Sequence, residues 1–592
     1  MQPTIIYEQK IGEIKVRLAD AATRMKWLSF IRLLAFAAAV ACVYKCFGPG
    51  AWLLAPVGVV AALVIFAYSL RRYQHALQYE ALQKALLQLN EKELHLVLHH
   101  ESRFDDGQAF SDEQHAFSGD LDLFGPASLY QHLNRTGTLS GSEQLASMLK
   151  MPLQQAAAIT DVQDVVKDLA PKLDFRQLLA AQGSLTGEKA GDHDRLKAWL
   201  AMPLYFLPNK GLNILRFVSL VLTLTAIAVT IVLHNFYPLM VMLGCNTVLL
   251  VSIGKKVIVQ HHQLGSQEKI LYRFAEILLL IRNESFTVGG LQSQQEQARE
   301  ADVALRKLAR ISSALDQRNN LLVPLFLGTF FLYDLHCAYA LEKWKAQYRD
   351  QVPEWLAVIA QMEAWNSLAT FAYNHPTYAY PVLNEAEKGI VAAGLCHPLI
   401  APEACVKNDC VLTGNTQFLI ITGSNMSGKS TFLRSVGANL VLAMCGAPVG
   451  ADSFLFAPME VMTSMRIKDS IAKHTSYFQA ELLRLQQIVF ALQKGQRVFI
   501  ILDEILKGTN SEDKLSGSRK LVEQFLQYNC LGMIATHDLE LGQLESTHPQ
   551  QVKNYCFEST ISDAGLFFDY RIRKGIARNK NATFLMEQLG II

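Results

Sequence analysis

The run Gly423-Ser424-Asn425-Met426-Ser427-Gly428-Lys429-Ser430-Thr431 limits what this chain can fold into more than any other stretch. It follows the apolar segment Phe418-Leu419-Ile420-Ile421 and leads into Thr431-Phe432-Leu433, which predicts strand, glycine-rich loop and helix in that order. Each part of the pattern G-x-x-x-x-G-K-[ST] has a physical task. Backbone N–H groups of the loop and of the helix N-terminus cradle phosphate oxygens. Lys429 brings a point charge to the β- and γ-phosphates, and the Ser430 hydroxyl is suited to ligate magnesium. All nine residues are therefore candidate nucleotide-binding residues.

A glycine turn with an incidental lysine would not need the second half found downstream. Val498-Phe499-Ile500-Ile501-Leu502 is a continuous apolar run, as a buried parallel strand requires, and it ends in Asp503-Glu504. Ligands of open α/β sheets gather at such strand ends. Asp503 is the second candidate magnesium ligand, directly or through water. Glu504 is the candidate to orient or deprotonate an attacking water, because phosphoryl transfer consists mostly of positioning and charge stabilisation. A further strand, Gly532-Met533-Ile534-Ala535, ends in Thr536-His537. A lone histidine is usually structural; at a strand end in this context His537 is a candidate γ-phosphate sensor.

These residues carry a resemblance. G-S-N-M-S-G-K-S-T, D-E-I-L-K-G-T-N-S-E-D from Asp503 and A-T-H-D-L-E-L from Ala535 are similar to the MutS family, ABC-type ATPases known from DNA mismatch repair. Asn425-Met426 inside the loop is a trait of that family. Ser476-Tyr477-Phe478-Gln479-Ala480-Glu481 resembles its signature segment, whose serine meets the γ-phosphate bound by the opposite subunit. The resemblance thus implies a homodimer with ATP and Mg2+ at two composite sites. Ser476 would act in trans, and Asn510 and Ser511, with Glu512-Asp513, would lie on a loop crossing the same interface. Leu515-Ser516-Gly517-Ser518 looks like a transporter signature but comes after the Asp503-Glu504 strand, so it is expected to begin the following helix.

Upstream, Leu121-Asp122-Leu123-Phe124-Gly125, Leu133 to Gly141 and Leu149-Lys150-Met151-Pro152-Leu153 resemble the start of the MutS core, and Gly394 to Leu399 resembles the lead into the ATPase. A mismatch-recognising MutS begins with a domain carrying a Phe-x-Glu wedge. Here the start is different in kind, which sets the expectation that this chain does not itself read mismatches.

After Lys10, Lys15, Arg17, Arg24 and Lys26 comes an apolar run from Trp27 to Phe47; Gly48-Pro49-Gly50 turns, and Ala51 to Leu70 is a second run closed by Arg71-Arg72. Each is near the ~20 residues that cross a bilayer. A cleavable signal would have one shorter core. A second pair, Phe217 to Leu233 and Phe236 to Ile253, lies between Lys210, Arg216 and Lys255-Lys256. Arg32 and Lys45 interrupt the first run only near its ends, and the short tips of both pairs carry almost no Lys or Arg, so the positive-inside rule predicts four transmembrane helices in the cytoplasmic membrane, with both termini and the ATPase in the cytoplasm. Leu321 to Leu332 is shorter and is expected to be a core or lever helix.

The composition agrees: 51% hydrophobic with only 18% charged residues suits membrane spans attached to a soluble body. A net charge of +2 offers no whole-chain sign of nucleic-acid binding. The cysteines form no C-x-x-C pair and no zinc spacing, so reduced thiols and no structural metal are expected.

The expected fold class is an α/β C-terminal ABC-type P-loop ATPase with an all-α core and lever region and two transmembrane helical hairpins. Its divisions are a basic segment and hairpin at 1–72, a helix and polar linker at 73–118 and a helical core at 119–205. A second hairpin at 213–254, lever-like helices at 263–373 and the ATPase at 385–592 complete it. Gln292 to Gln317 reads as one lever arm with a solvated face. Phe568 to Ile572 reads as a final strand and Asn581 to Met586 as a closing helix. Two functions follow: a DNA-binding ATPase tied to mismatch repair, or a membrane mechanochemical ATPase acting on a protein or membrane partner without DNA.

Overall fold

A helical N-terminal part joins a mixed α/β C-terminal part in this computed structural model, which describes residues 3–46, 54–264, 268–317, 323–384, 389–466, 477–562 and 565–578. Two long helices come first, α1 (Pro3–Cys46) and α2 (Leu54–His99). Shorter ones follow: α3 (Leu129–Leu133), α4 (Leu139–Lys150), α5 (Ala156–Leu169), α6 (Leu173–Ser184) and α7 (Asp192–Ala201). Then come α8 (Lys210–Leu233), α9 (Tyr237–Leu264), α10 (Glu268–Asn283), α11 (Gly289–Gln297) and α12 (Ala301–Asp316). A π-helical turn at Val323–Gly328 and the short α13 (Thr329–Phe331) lead to α14 (Tyr333–Tyr348) and α15 (Val352–Asn374).

Four of these helices, within α1, α2, α8 and α9, are long and apolar enough to cross a membrane. Their apolar side chains stay largely exposed; Trp27, Phe36, Val64, Phe217, Val232 and Val251 are examples. α8 and α9 are registered by a buried polar cluster. Ser219 Oγ donates to Asn246 Oδ1 at 2.5 Å, and Asn246 Nδ2 donates to Thr223 Oγ1 at 3.2 Å and to the Thr329 carbonyl at 2.8 Å. A buried amide without partners is costly, so Asn246 fixes how the two helices and α13 meet. Glu342 of α14 accepts the backbone N–H groups of Tyr205, Phe206 and Leu207, tying the approach to α8 into the helical body.

Several expectations need correction. The division between 72 and 73 falls inside α2, which runs unbroken because no helix breaker stands at that point. Glu101 to Ser118 is docked rather than a free linker. Thr463 N donates to the Ala116 carbonyl at 2.9 Å and Arg484 Nη1 to the Gln114 carbonyl at 3.1 Å. Gln292 to Gln317 is two helices, separated around Arg299 and Glu300, and Asp302 is buried against Arg282 at 2.7 Å rather than solvated. Within 321–332, the described residues form two short pieces ending at Leu332, which adopts φ 50°.

The described residues of the C-terminal part form ten strands: β1 (Val382–Leu383), β2 (Ile390–Leu395), β3 (Asn408–Leu412), β4 (Phe418–Gly423), β5 (Ser453–Phe456), β6 (Glu460–Ser464), β7 (Val498–Asp503), β8 (Cys530–Thr536), β9 (Val552–Ser562) and β10 (Gly565–Lys574). Its helices are α16 (Lys429–Met444), α17 (Tyr477–Gln493), α18 (Ser511–Phe525) and the one-turn α19 (Leu544–Thr547). The main sheet has the order β10-β9-β4-β8-β7-β6, parallel except for the β9–β10 hairpin. A smaller sheet has the order β1-β5-β2-β3.

Both faces of the main sheet are covered, which explains why β4, β7 and β8 read as unbroken apolar runs. Along β4, Leu419 and Ile421 join a core shared with the helical part, whereas Phe418 and Ile420 pack on the other face with Ile500, Val522 and Phe525. This alternation is the period of two of a strand. The expected final strand is present as β10; the expected closing helix lies outside the described residues.

Candidate functional site

Three strands, β4, β7 and β8, end side by side, and the residues singled out in sequence converge there. Gly423 has φ 152° and Gly428, the residue before α16, has φ 106°. A Cβ on Gly423 would lie 2.7 Å from the Phe557 carbonyl oxygen, so the turn leaves no room for a side chain. Ser427 Oγ closes the loop by donating to the Ser424 carbonyl at 2.8 Å, while Asn425 and Met426 point outward and Thr431 is exposed. The free N–H groups and dipole of α16 face the space inside the loop, an arrangement that favours an anion.

Lys429 is folded back into the loop. Its Nζ donates to the Gly423 carbonyl at 2.8 Å and the Ser424 carbonyl at 2.7 Å. Burial lowers its pKa to about 8, against the opposing pull of Asp503 and Glu504. A phosphate oxygen would offer this ammonium a stronger, charge-assisted partner than two carbonyls.

Ser430 Oγ donates to Asp503 Oδ2 at 2.5 Å. One hydroxyl and one carboxylate are few ligands for a cation, and no cluster of three or more metal-binding side chains exists among the described residues. That sparse oxygen set fits Mg2+, which keeps several waters and takes further oxygens from substrate phosphates. Bound there, it would neutralise charge on the phosphate chain.

Glu504 follows directly, in a left-handed conformation with φ 55°, its N–H bonded to the Ala535 carbonyl at 2.9 Å. A non-glycine residue held there stores strain, which is characteristic of functional positions. Its carboxylate is 3.1 Å from Lys514 Nζ, 3.4 Å from Lys507 Nζ and 4.0 Å from His537 Nε2. Burial raises the Glu504 pKa, but the hydrogen bond from Lys514 and the charges of Lys507 and Lys514 together leave it below the usual carboxylate value. Burial and the charge of Lys429 lower the pKa of His537, so its imidazole is neutral near pH 7.

The structure also shows what sequence reasoning missed. The loop opens into a cavity of about 570 Å3 whose far wall is made by His397, Ile400, Val406, Asn408 and Tyr570, a size and character suited to a nucleoside. Asn408 holds that wall together: its Nδ2 donates to the Tyr570 carbonyl at 3.0 Å and its Oδ1 accepts from Ile572 N at 2.8 Å. Burial lowers the His397 pKa to about 4, keeping the ring neutral. These wall residues follow no local pattern of spacing that sequence alone could have picked out. Cys396 and Cys405 of this wall are joined in a disulfide, correcting the expectation of reduced thiols throughout; the wall's turn brings together cysteines nine residues apart.

Ser476 lies outside the described residues. In the same segment, Glu481 and Phe478 pack within the subunit: Glu481 Oε1 accepts from Leu506 N at 2.6 Å, and Phe478 lies where a Cβ on Gly508 would stand. Asn510 caps α18, its Oδ1 accepting from Asp513 N at 2.8 Å. The helix therefore begins at Ser511, so Ser511-Glu512-Asp513 is its first turn and not part of a loop, and Leu515 to Ser518 lies within it rather than at its start.

Residues 419–586 match the family model described as MutS domain V. The DNA mismatch repair protein MutS of Thermotoga petrophila is 30% identical over 227 residues, which is 38% of this chain and 28% of that protein. The protein of the same name from Chloroflexus aurantiacus is 32% identical over 250 residues, 41% of this chain and 25% of that one. Human MutS protein homolog 4 is 30% identical over 197 residues, 31% of this chain and 20% of that one. The chain thus spans about a quarter of the length of these relatives. On this match, the C-terminal α/β part of the chain belongs with the MutS family.

Proposed function

We propose that this chain is a membrane-anchored ATP hydrolase of MutS type, working as a dimer with two composite nucleotide sites. The observation that carries the reading is the meeting of Lys429, Ser430, Asp503, Glu504 and His537 at adjacent strand ends beside a nucleoside-sized cavity. The loop N–H groups and Lys429 hold the phosphates. Ser430 and Asp503 hold Mg2+. Glu504 orients the attacking water and accepts its proton once Lys507 and Lys514 turn from its carboxylate to the phosphates. Neutral His537 reports the γ-phosphate. Ser476, with Asn510 and Ser511 at the start of α18, serves the partner's nucleotide. Four helices anchor the protein in the cytoplasmic membrane, with both termini and the α/β part in the cytoplasm.

The names of the relatives favour DNA as the object of the cycle. A second reading, a membrane mechanochemical ATPase without DNA, is favoured by how firmly α1 and α2 join the helical body. Tyr7 OH donates to Asn374 Oδ1 at 2.8 Å, and Asn374 Nδ2 to Glu93 Oε2 at 2.9 Å, so both long helices meet the end of α15, which leads into the α/β part.

ATP turnover of detergent-purified protein, alone and with homoduplex, mismatched and branched DNA at fixed salt, separates the two readings. Stimulation by DNA supports the first; turnover indifferent to every DNA, without binding, supports the second. Glu504→Gln should lower turnover by about 10²- to 10⁴-fold while leaving nucleotide bound. Unaltered turnover in that variant would overturn the role of Glu504.

A further inference from the structure

We infer that a groove between α1 and α2 binds the phosphate headgroup of an anionic phospholipid. This rests on the reading that the two helices cross a membrane. The groove has a volume of about 700 Å3 and is lined by Arg17, Asp20, Arg24 and Trp27 of α1 and by Tyr68 and Arg72 of α2, among others. It lies where the apolar run of α1 begins, at Trp27, and that of α2 ends, at Leu70. In an antiparallel pair these points share one level, the boundary between hydrocarbon and headgroups.

The side chains match a phosphodiester bearing acyl chains. Three guanidiniums face one carboxylate in the groove, leaving it cationic. Arg24 has no ion-pair partner among the described residues, and the partner of Arg17, Glu13 at 3.5 Å, lies outside the groove lining. Arg72 is oriented by Tyr68: its Nε donates to the hydroxyl at 3.0 Å and its guanidinium lies 5.3 Å from the ring centre. An oriented, weakly hydrated guanidinium is the preferred side chain for phosphate. Trp27 and Tyr68 are the aromatic types that settle at headgroup depth. Exposed Leu34, two turns beyond Trp27, and Val64 and Ile65, one turn before Tyr68, continue the same helix faces, so acyl chains can lie along them. A generally basic membrane flank would use Lys26 and Arg71 equally, yet neither lines the groove.

The test uses full-length protein, delipidated in a neutral detergent and titrated with phosphatidylglycerol or phosphatidylcholine, bound lipid being counted by native mass spectrometry. Phosphatidylglycerol should be retained in preference. Replacing Arg24→Gln and Arg72→Gln together should weaken its binding by about tenfold or more, with turnover in detergent unchanged as the folding control. Lys26→Gln with Arg71→Gln should leave retention intact, and Asp20→Asn should strengthen it. Equal retention by wild type and the Arg24/Arg72 variant, or an equal loss in the Lys26/Arg71 variant, would overturn the groove as the site. Competition by soluble glycerol phosphate at the same concentration as lipid would overturn the lipid assignment in favour of a free-phosphate site. Alkaline carbonate washing of native membranes checks the underlying reading separately. Release of the protein would overturn membrane insertion itself, whereas retention together with an unaffected Arg24/Arg72 variant would overturn only the groove.

Discussion

Ser430 of α16 donates its hydroxyl to the Asp503 carboxylate at 2.5 Å, joining the start of the loop's helix to the end of β7. Mg2+ bound at this point would be shared by the two oxygens. Asp503→Asn removes the charge and Ser430→Ala the hydroxyl. Each should raise the Mg2+ concentration needed for half-maximal ATP turnover by at least about tenfold. A magnesium titration at fixed nucleotide checks this, and an unchanged midpoint for Asp503→Asn would remove it from the metal site.

Arg135 and Glu93 form a buried, bidentate pair joining α2 to the loop before α4; Nη2 donates to Oε2 at 3.0 Å. Both side chains are almost wholly out of water, at 2% and 3% exposure, so removing one leaves the other charged and unpaired. Arg135→Ala should therefore destabilise by about 3–5 kcal/mol. Tyr7→Phe, which deletes one hydrogen bond at the edge of the same cluster, should cost about 1 kcal/mol. Thermal unfolding in detergent would rank the two variants, and equal shifts would count against the buried pair.

Glu363 of α15 is enclosed by α4 and α6. It accepts the N–H groups of Gly137 and Thr138, each at 3.1 Å, and its burial raises its pKa from 4.5 to about 7. A Cβ on Gly141 or Gly183 would collide with its carboxyl oxygens, so the cradle fits this side chain closely. Because the folded pKa is the higher one, its contribution is fully present below about 4.5 and is lost as pH rises towards 7. The loss is on the order of 3 kcal/mol. Glu363→Gln should flatten that part of the pH–stability curve. Denaturant unfolding between pH 5 and 7.5, wild type against variant, is the measurement; parallel curves would overturn the assignment.

The phosphate loop, the strand ending at Asp503-Glu504 and the strand before His537 were legible in the sequence because each is a local pattern. A glycine at a positive-φ turn, an apolar run buried on both faces and a polar residue at its end all leave marks within a few residues. The four long apolar helices were legible for the same reason, since length and composition suffice. The far wall of the cavity was not. His397, Ile400, Val406, Asn408 and Tyr570 come from segments separated by up to 173 residues, and Asn408 joins β10 only through tertiary hydrogen bonds. The docking of Glu101 to Ser118 was hidden too, because its polar composition reads as a solvated linker. Its carbonyls are instead met by Thr463 of β6 and Arg484 of α17, more than 340 residues away.

Sequence alone thus determined the loop chemistry, the acidic strand end and the lengths of the apolar helices, since these depend on neighbouring residues and on hydrophobic period. Tertiary structure decided which distant groups face the same space. It placed Lys514 and His537 beside Glu504, enclosed Glu363 between glycines, and opened the arginine-lined groove between α1 and α2. Those relations arise from packing and from satisfying buried charge, which act through space and not along the chain.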